Sequence, residues 1–148
     1  MNPAKEYLLE IQKYDEVIER TIAEKHTQVE RAKAPANSIT PKLTADRVQS
    51  TPNPQRMSSA IADAVDVENE YNARIAELRA KRHSIIQDIE SLPLNEYKVL
   101  HCIYVQGMTL QEAADDCKMS YSWAKGVNGQ ALKNINKILD ERKKEISL

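Results

Sequence analysis

Phenylalanine is absent from this sequence of 148 residues, tryptophan occurs once, and only three residues are glycine. With no phenylalanine and a single tryptophan, no large aromatic core is available. Charged residues make up 29% of the chain, and that fraction together with so little glycine favours long, solvated helices. The formal net charge of -1 excludes a polycation that binds its partner through bulk charge. The length suits one ordinary domain or two small ones.

Long apolar runs are also missing, and no basic-then-apolar signal segment opens the sequence. We therefore expect a cytoplasmic protein with no membrane partner. The only two cysteines, Cys102 and Cys117, fall at apolar positions of predicted helices. That placement is typical of small buried hydrophobes in a reducing compartment and not of a disulfide framework.

Residues with catalytic or metal-binding chemistry are sparse and scattered. His26, His83 and His101 stand at no metal-ligand spacing from a cysteine or an aspartate. Asp115 and Asp116 are consecutive, so on a helix they diverge by about 100° and do not share a site. No phosphate-binding glycine loop and no nucleophile–base arrangement is present. We predict no catalytic residue, no metal and no cofactor, and therefore not an enzyme.

The first 92 residues have the pattern of two long amphipathic helices. One helix is predicted over residues 3–33 and another over 57–92, with a proline-rich connector at about 34–56. The second helix has apolar residues alternately three and four apart, starting at Ile61, and these form a heptad seam interrupted by Glu68 and Arg82. These features predict an antiparallel hairpin over residues 1–92. Because a hairpin alone leaves one side of its seam uncovered, we expect homo-oligomerisation through these residues.

The remaining residues, 93–148, predict a second domain of short helices. Pro93 ends the long helix, and a scaffold helix follows over residues 95–106. Gly107 can end that helix in a left-handed conformation, and Thr109 with Glu112 forms a potential capping box. The fold class is therefore all-α, a long N-terminal coiled-coil-like hairpin followed by a C-terminal helix-turn-helix domain.

The second helix of this motif is predicted over residues 120–136, with Ser120 as its N-cap. Ala124 and Val127 should face the first helix. The window from Cys117 to Leu139 holds four lysines and no acid, which is the local charge that DNA binding needs. The residues predicted to contact DNA are Ser120, Tyr121, Ser122, Lys125, Gly126, Gly129 and Lys133. Trp123 is ambiguous, since it can pack under the helix or face DNA.

The run 94–132 resembles the fourth region of bacterial sigma factors, which reads promoter DNA. The resemblance rests on Tyr-Val-Gln-Gly at 104–107 before the capping box and on Ser-Tyr-Ser-Trp at 120–123. Two departures stand out. Lys118 occupies the turn position where the family usually has glycine, and Gly126 stands where sigma-like relatives often have arginine.

The N-terminal part resembles small late transcription regulators of the ArpU or RinA type, encoded by phages and prophages of Gram-positive bacteria. The similarity lies in Ala-Lys-Glu-Tyr-Leu at 4–8, in Asp-Arg-Val-Gln-Ser at 46–50, and in Asn53 and Met57. The resemblance covers nearly the whole chain. It implies a sequence-specific DNA-binding activator in the bacterial host cell, with double-stranded DNA as partner and RNA polymerase as a further candidate.

Two other functions remain open from sequence. A phage DNA-packaging protein of the small-terminase type also combines a helix-turn-helix with helical oligomerisation, although its DNA reader usually comes first. A helical protein-interaction module would use the heptad seam without binding DNA.

Overall fold

The structure, a computed structural model, describes residues 2–37 and 54–147. Within these ranges the chain forms helices and no strand, which confirms the all-α class. The helices are α1 (Pro3–Asn37), α2 (Pro54–Glu90), α3 (Leu94–Leu100), α4 (Leu110–Asp116) and α5 (Tyr121–Ile146), and a π-helical turn at His101–Val105 continues α3. None of the helices in the described ranges combines the length and apolar character needed to cross a membrane.

The ends of the two long helices differ from the prediction. Helix α1 continues to Asn37 with Pro35 inside it, and α2 already begins at Pro54. Proline suits a first helical turn because the N–H that it lacks would be unpaired there in any case. Both ends of the predicted connector at 34–56 are therefore helical, and its middle, 38–53, lies outside the described residues.

One compact unit combines Met1–Glu16 with Leu78–Leu148. Its core is formed by side chains from both ends of the predicted hairpin and from α3, the π-helical turn and α5, namely Ala4, Leu8, Ile11, Ile85, Ile86, Ile89, Leu100, Tyr104, Ala131 and Ile135. Burying one such leucine or isoleucine contributes about 1.5–3 kcal/mol. This unit therefore includes residues on both sides of the predicted boundary at 92/93. At this end of the hairpin, the apolar seam is covered by helices of the same chain.

A polar network crosses the surface of this core. Tyr7 Oη donates a hydrogen bond of 2.5 Å to Asp88 Oδ2, and Arg142 donates to both carboxylate oxygens of Asp88, with Nη1 2.8 Å from Oδ2. Asp88 is only 7% exposed, so its charge needs these donors. Burial and the bond to Asp88 raise the pKa of Tyr7 to about 12, which keeps its hydroxyl protonated at neutral pH. The network joins α1, α2 and α5.

The other compact unit, Val17–Glu77, is an antiparallel pairing of α1 with α2. Ile18, Val29, Ala64, Tyr71 and Ile75 are buried in it. Glu68, one polar interruption of the predicted seam, lies 3.9 Å from Lys25 Nζ. In the first unit the other interruption, Arg82, donates a hydrogen bond of 2.5 Å to Asp15. Both interruptions therefore pair with opposite charges on α1.

The start of the seam is placed differently from the prediction. Ile61 was expected on the buried face but is 52% exposed, whereas its neighbour Ala60 is buried. Met57 and Val65, one turn away on either side of Ile61, are exposed as well. Residues four apart lie on one helix face, so among the described residues this part of α2 presents an exposed apolar stripe.

Replacing the arginine of the polar network should destabilise the protein. In Arg142→Ala the buried Asp88 carboxylate keeps only Tyr7 as a donor, and because the Arg142 side chain is 44% exposed, water compensates part of the loss. We expect the free energy of unfolding to fall by about 2 kcal/mol, measured by urea denaturation. Lys143→Ala, an exposed change beside it, should stay within about 0.5 kcal/mol. Equal effects of the two substitutions would contradict a structural role for the network.

Candidate nucleic-acid interface

The start of α4 has the capping geometry expected from the sequence. Gly107 adopts φ +75°, so the preceding helix ends in the left-handed region, where glycine meets no steric penalty. Thr109 Oγ1 then accepts a hydrogen bond of 3.2 Å from Glu112 N. The carboxylate of Glu112 accepts from the Thr109 hydroxyl at 3.2 Å, in place of the backbone N–H that a full capping box would use. The N-terminus of α4 is thereby fixed.

A four-residue turn connects α4 to α5, and Lys118 is its left-handed residue. Lys118 has φ 56° and is the one non-glycine residue with positive φ in the described ranges. This conformation costs a side-chain-bearing residue about 1–2 kcal/mol. The hydrogen bond from Met119 N to Ala114 O, 2.9 Å, closes the turn. Lysine therefore adopts a backbone conformation that favours glycine.

Ser120 starts α5 as predicted, since its side-chain oxygen accepts a hydrogen bond of 3.1 Å from Trp123 N. Helices α4 and α5 then pack through alanine. Ala113, Ala114, Ala124 and Ala131 are completely buried, and such small side chains let two helices approach closely. The sequence thus determines which face of α5 is turned inward.

The face of α5 opposite Ala124 and Ala131 is open to solvent. All seven residues predicted to contact DNA are exposed, namely Ser120, Tyr121, Ser122, Lys125, Gly126, Gly129 and Lys133. Trp123 is 60% exposed, so it does not pack under the helix, while Val127 is only partly buried. The first turns of α5 therefore form a continuous accessible surface.

The basic and acidic side chains around this surface lie on different parts of the chain. Lys125, Lys133 and Lys137 are exposed along α5, and Lys118 is exposed in the turn. Exposed acidic side chains lie on α4, including Asp115, whose carboxylate accepts from Gln111 Nε2 at 3.2 Å. Between residues 117 and 139, the open face of α5 and the turn before it thus carry lysines and no acid, an arrangement that suits an anionic ligand.

Two of the three glycines of the chain lie on the open face, and packing among residues 2–37 and 54–147 does not require either of them. A Cβ atom built at Gly126 or at Gly129 would meet nothing within 4 Å. A glycine in a helix interior costs about 1 kcal/mol relative to alanine. Both glycines lower the stability of α5, and both lie on its exposed face.

An apolar groove beside this face was not predicted from the sequence. It measures about 570 Å³ and lies between the start of α3 and α5, with Leu94, Trp123 and Val127 among its apolar lining and Ser122 and Gly126 at its border. Leu94 is 64% exposed. Trp123, Val127 and Gln130 are four and three residues apart, so their spacing could have indicated a second stripe along α5. Only the tertiary structure shows that Leu94 lies beside this stripe.

Comparison of the chain with protein-family models, with curated proteins and with solved structures gave no match. The function proposed below therefore depends on the residues and contacts of this chain.

A glycine on the open face should be replaceable with a gain in stability. Gly129→Ala adds a methyl group in open space and improves helix propensity, so we expect the free energy of unfolding to rise by about 1 kcal/mol. Thermal or urea unfolding measures it. Gly107→Ala is the matched control and should destabilise, because its positive φ suits only glycine. A loss of stability in Gly129→Ala would contradict the open space around this residue.

Proposed function

We propose that this protein is a sequence-specific DNA-binding regulator of phage or prophage genes, acting in the cytoplasm of a bacterial host. One observation carries the proposal: a capped helix pair leaves the first turns of α5 uncovered, with Lys125 and Lys133 on the uncovered face. The similarity to sigma factors and to phage late regulators supports the same function, and favours an activator.

The dimensions of DNA explain why this arrangement suits it. The major groove, about 12 Å wide, admits one α-helix, and the N-terminal residues of a recognition helix contact base edges. Tyr121, Ser122 and Lys125 occupy those positions in α5, and Lys133 is placed two turns further on for a phosphate. Gly126 and Gly129 leave the helix backbone free to approach the DNA closely.

Trp123 offers a direct test, because it is the only tryptophan of the chain and lies beside the proposed DNA-contacting residues. The experiment selects duplexes from a random-sequence library with the full-length protein, then titrates the enriched duplex while Trp123 fluorescence is recorded. We expect one enriched motif, a change in fluorescence on binding, and weaker binding as salt increases. If no sequence is enriched, or if binding leaves Trp123 unaffected, this face of α5 does not read DNA.

Reversing the charge at Lys125 should weaken binding to the selected duplex by at least about tenfold, since Lys125→Glu removes a cation and places an anion against the DNA. Lys144→Glu is the matched control, with the same change of charge on the same helix about 28 Å further along its axis. Fluorescence anisotropy of labelled duplex gives the affinities, and circular dichroism checks that helicity is unchanged. Equal losses of affinity in both variants would mean that the total charge of the protein, and not the position of Lys125, determines binding.

We also propose that the chain forms homo-oligomers through residues 1–92. The supporting observation is the exposed stripe of Met57, Ile61 and Val65 on α2, since apolar side chains four residues apart can pack in a seam with a second copy. Oligomerisation would bring two copies of α5 to one DNA molecule.

Sedimentation equilibrium of the full-length chain tests this proposal. We expect an oligomer for the natural sequence and a smaller species for Ile61→Glu, because a charge in an apolar interface must be desolvated. Ala62→Glu changes the adjacent exposed residue, about 100° around the helix, and should leave the oligomer intact. A natural protein that sediments as a monomer at tens of micromolar, the range in which a stable regulator would pair, would contradict the proposal.

The groove beside α5 favours a second function, protein binding. Leu94 and Trp123 are largely exposed in it, and exposed apolar patches mark interaction sites more often than chance. A regulator that activates transcription needs a contact with RNA polymerase, and the groove suits an apolar segment of such a partner. If the selection enriches no duplex while sedimentation shows intact oligomers, protein binding is favoured over DNA binding.

A further inference from the structure

Three side chains with metal-ligand chemistry meet between the π-helical turn and the turn that follows α4. The thiol sulfurs of Cys102 and Cys117 and a carboxylate oxygen of Asp116 all lie within 4.8 Å of one another. The Cys102 thiol donates a hydrogen bond of 3.3 Å to Asp116 Oδ2. The sequence does not indicate this cluster, because Cys102 lies fourteen positions before Asp116 and matches no ligand spacing.

The cluster is accessible from one side. A cavity of about 370 Å³ is lined by Cys102, Asp116 and Cys117, with His101 and Gln106 also at its wall. Cys102 is buried, Cys117 half-buried and Asp116 exposed, so the ligand atoms extend from the interior to solvent. Lys98 and Lys118 also border the cavity, on flexible side chains that can extend into solvent.

One of the three distances can be compared directly with that between ligands of a tetrahedral cation. With Zn–S of about 2.3 Å and Zn–O of about 2.1 Å, ligand atoms lie about 3.4–3.8 Å apart. The distance from Cys102 Sγ to Asp116 Oδ2 is already near this range. Thiolates select zinc and similar thiophilic cations over magnesium or calcium.

We propose that Cys102, Cys117 and Asp116 form a binding site for a thiophilic divalent cation of the zinc class, with a fourth position open to water. Binding releases the two thiol protons to solvent, so affinity rises with pH. The cation joins the π-helical turn to the turn at Lys118 and thereby fixes the start of α5. The site is independent of whether α5 binds DNA.

Cobalt titration of the reduced full-length protein tests the site, since Co²⁺ is a coloured probe for zinc positions. We expect a thiolate-to-cobalt charge-transfer band that saturates at one equivalent, disappears on addition of Zn²⁺, and strengthens with pH. Zinc should also raise the melting temperature, because a ligand that binds only the folded state stabilises it.

Substitutions of the more accessible ligands identify them without disturbing the core. Cys117→Ser and Asp116→Asn should each weaken cobalt binding by at least about tenfold, the lower range seen when metal sites lose a supporting group. Asp115→Asn removes the same charge one residue away and should retain the affinity, with circular dichroism confirming unchanged helicity in all three. Absence of the band, full affinity in Cys117→Ser, or a disulfide between the two cysteines with no metal uptake after reduction would overturn the proposal.

Discussion

The carboxylate of Asp88 holds the first compact unit together, because a buried charge must be paired and its partners here come from two other helices. Arg142 on α5 and Tyr7 on α1 both donate to it, and they do so directly over the apolar core that α1, α2 and α5 share. The core supplies most of the stabilisation through burial, but apolar contacts alone allow packed helices to slide against one another. The bidentate arginine adds geometric specificity, so it fixes the position of the second half of α5 against the other two helices.

Once that end of α5 is fixed, the position of its start depends on the turn after α4. Two N-caps, Thr109 and Ser120, define where α4 and α5 begin, and the left-handed residue Lys118 sets the angle between them. The strain at Lys118 is about as large as the contribution of one N-cap. A cation between Cys102 and Cys117 would offset this strain, since both cysteines lie beside the same turn. In that arrangement the exposed face of α5 is held at both ends.

The exposed surface of α5 combines features that stability alone does not explain. Gly126 and Gly129 lower helix propensity at positions where no described residue lies within 4 Å of an added Cβ atom, and Trp123 leaves a large apolar surface in water. Such local departures from the pattern of a stable helix are expected at functional sites. They occur on the face that also carries Lys125 and Lys133, and this coincidence is the reason for proposing a ligand-binding surface there.

The sequence by itself determined the features that depend on neighbours along the chain. Helical periodicity, the caps at Thr109 and Ser120, the glycine at 107 and the inward face of α5 could all be predicted, because each follows from contacts between residues a few positions apart. The exposure of the seven candidate DNA-contacting residues follows from the same periodicity. The start of α2 at Pro54 was less predictable, since proline is tolerated in the first turn of a helix, and no local pattern accounts for the continuation of α1 past Pro35.

Only the tertiary structure decided what distant residues do together. Asp88 with Arg142, Leu94 with Trp123, and Cys102 with Cys117 are pairs that no periodicity connects, because the chain turns between their members. The same applies to the extent of the first compact unit, in which the two ends of a predicted hairpin share a core with α3 and α5. Local patterns fix which face of a helix is apolar, whereas the identity of the helix that covers it depends on the packing of the whole chain.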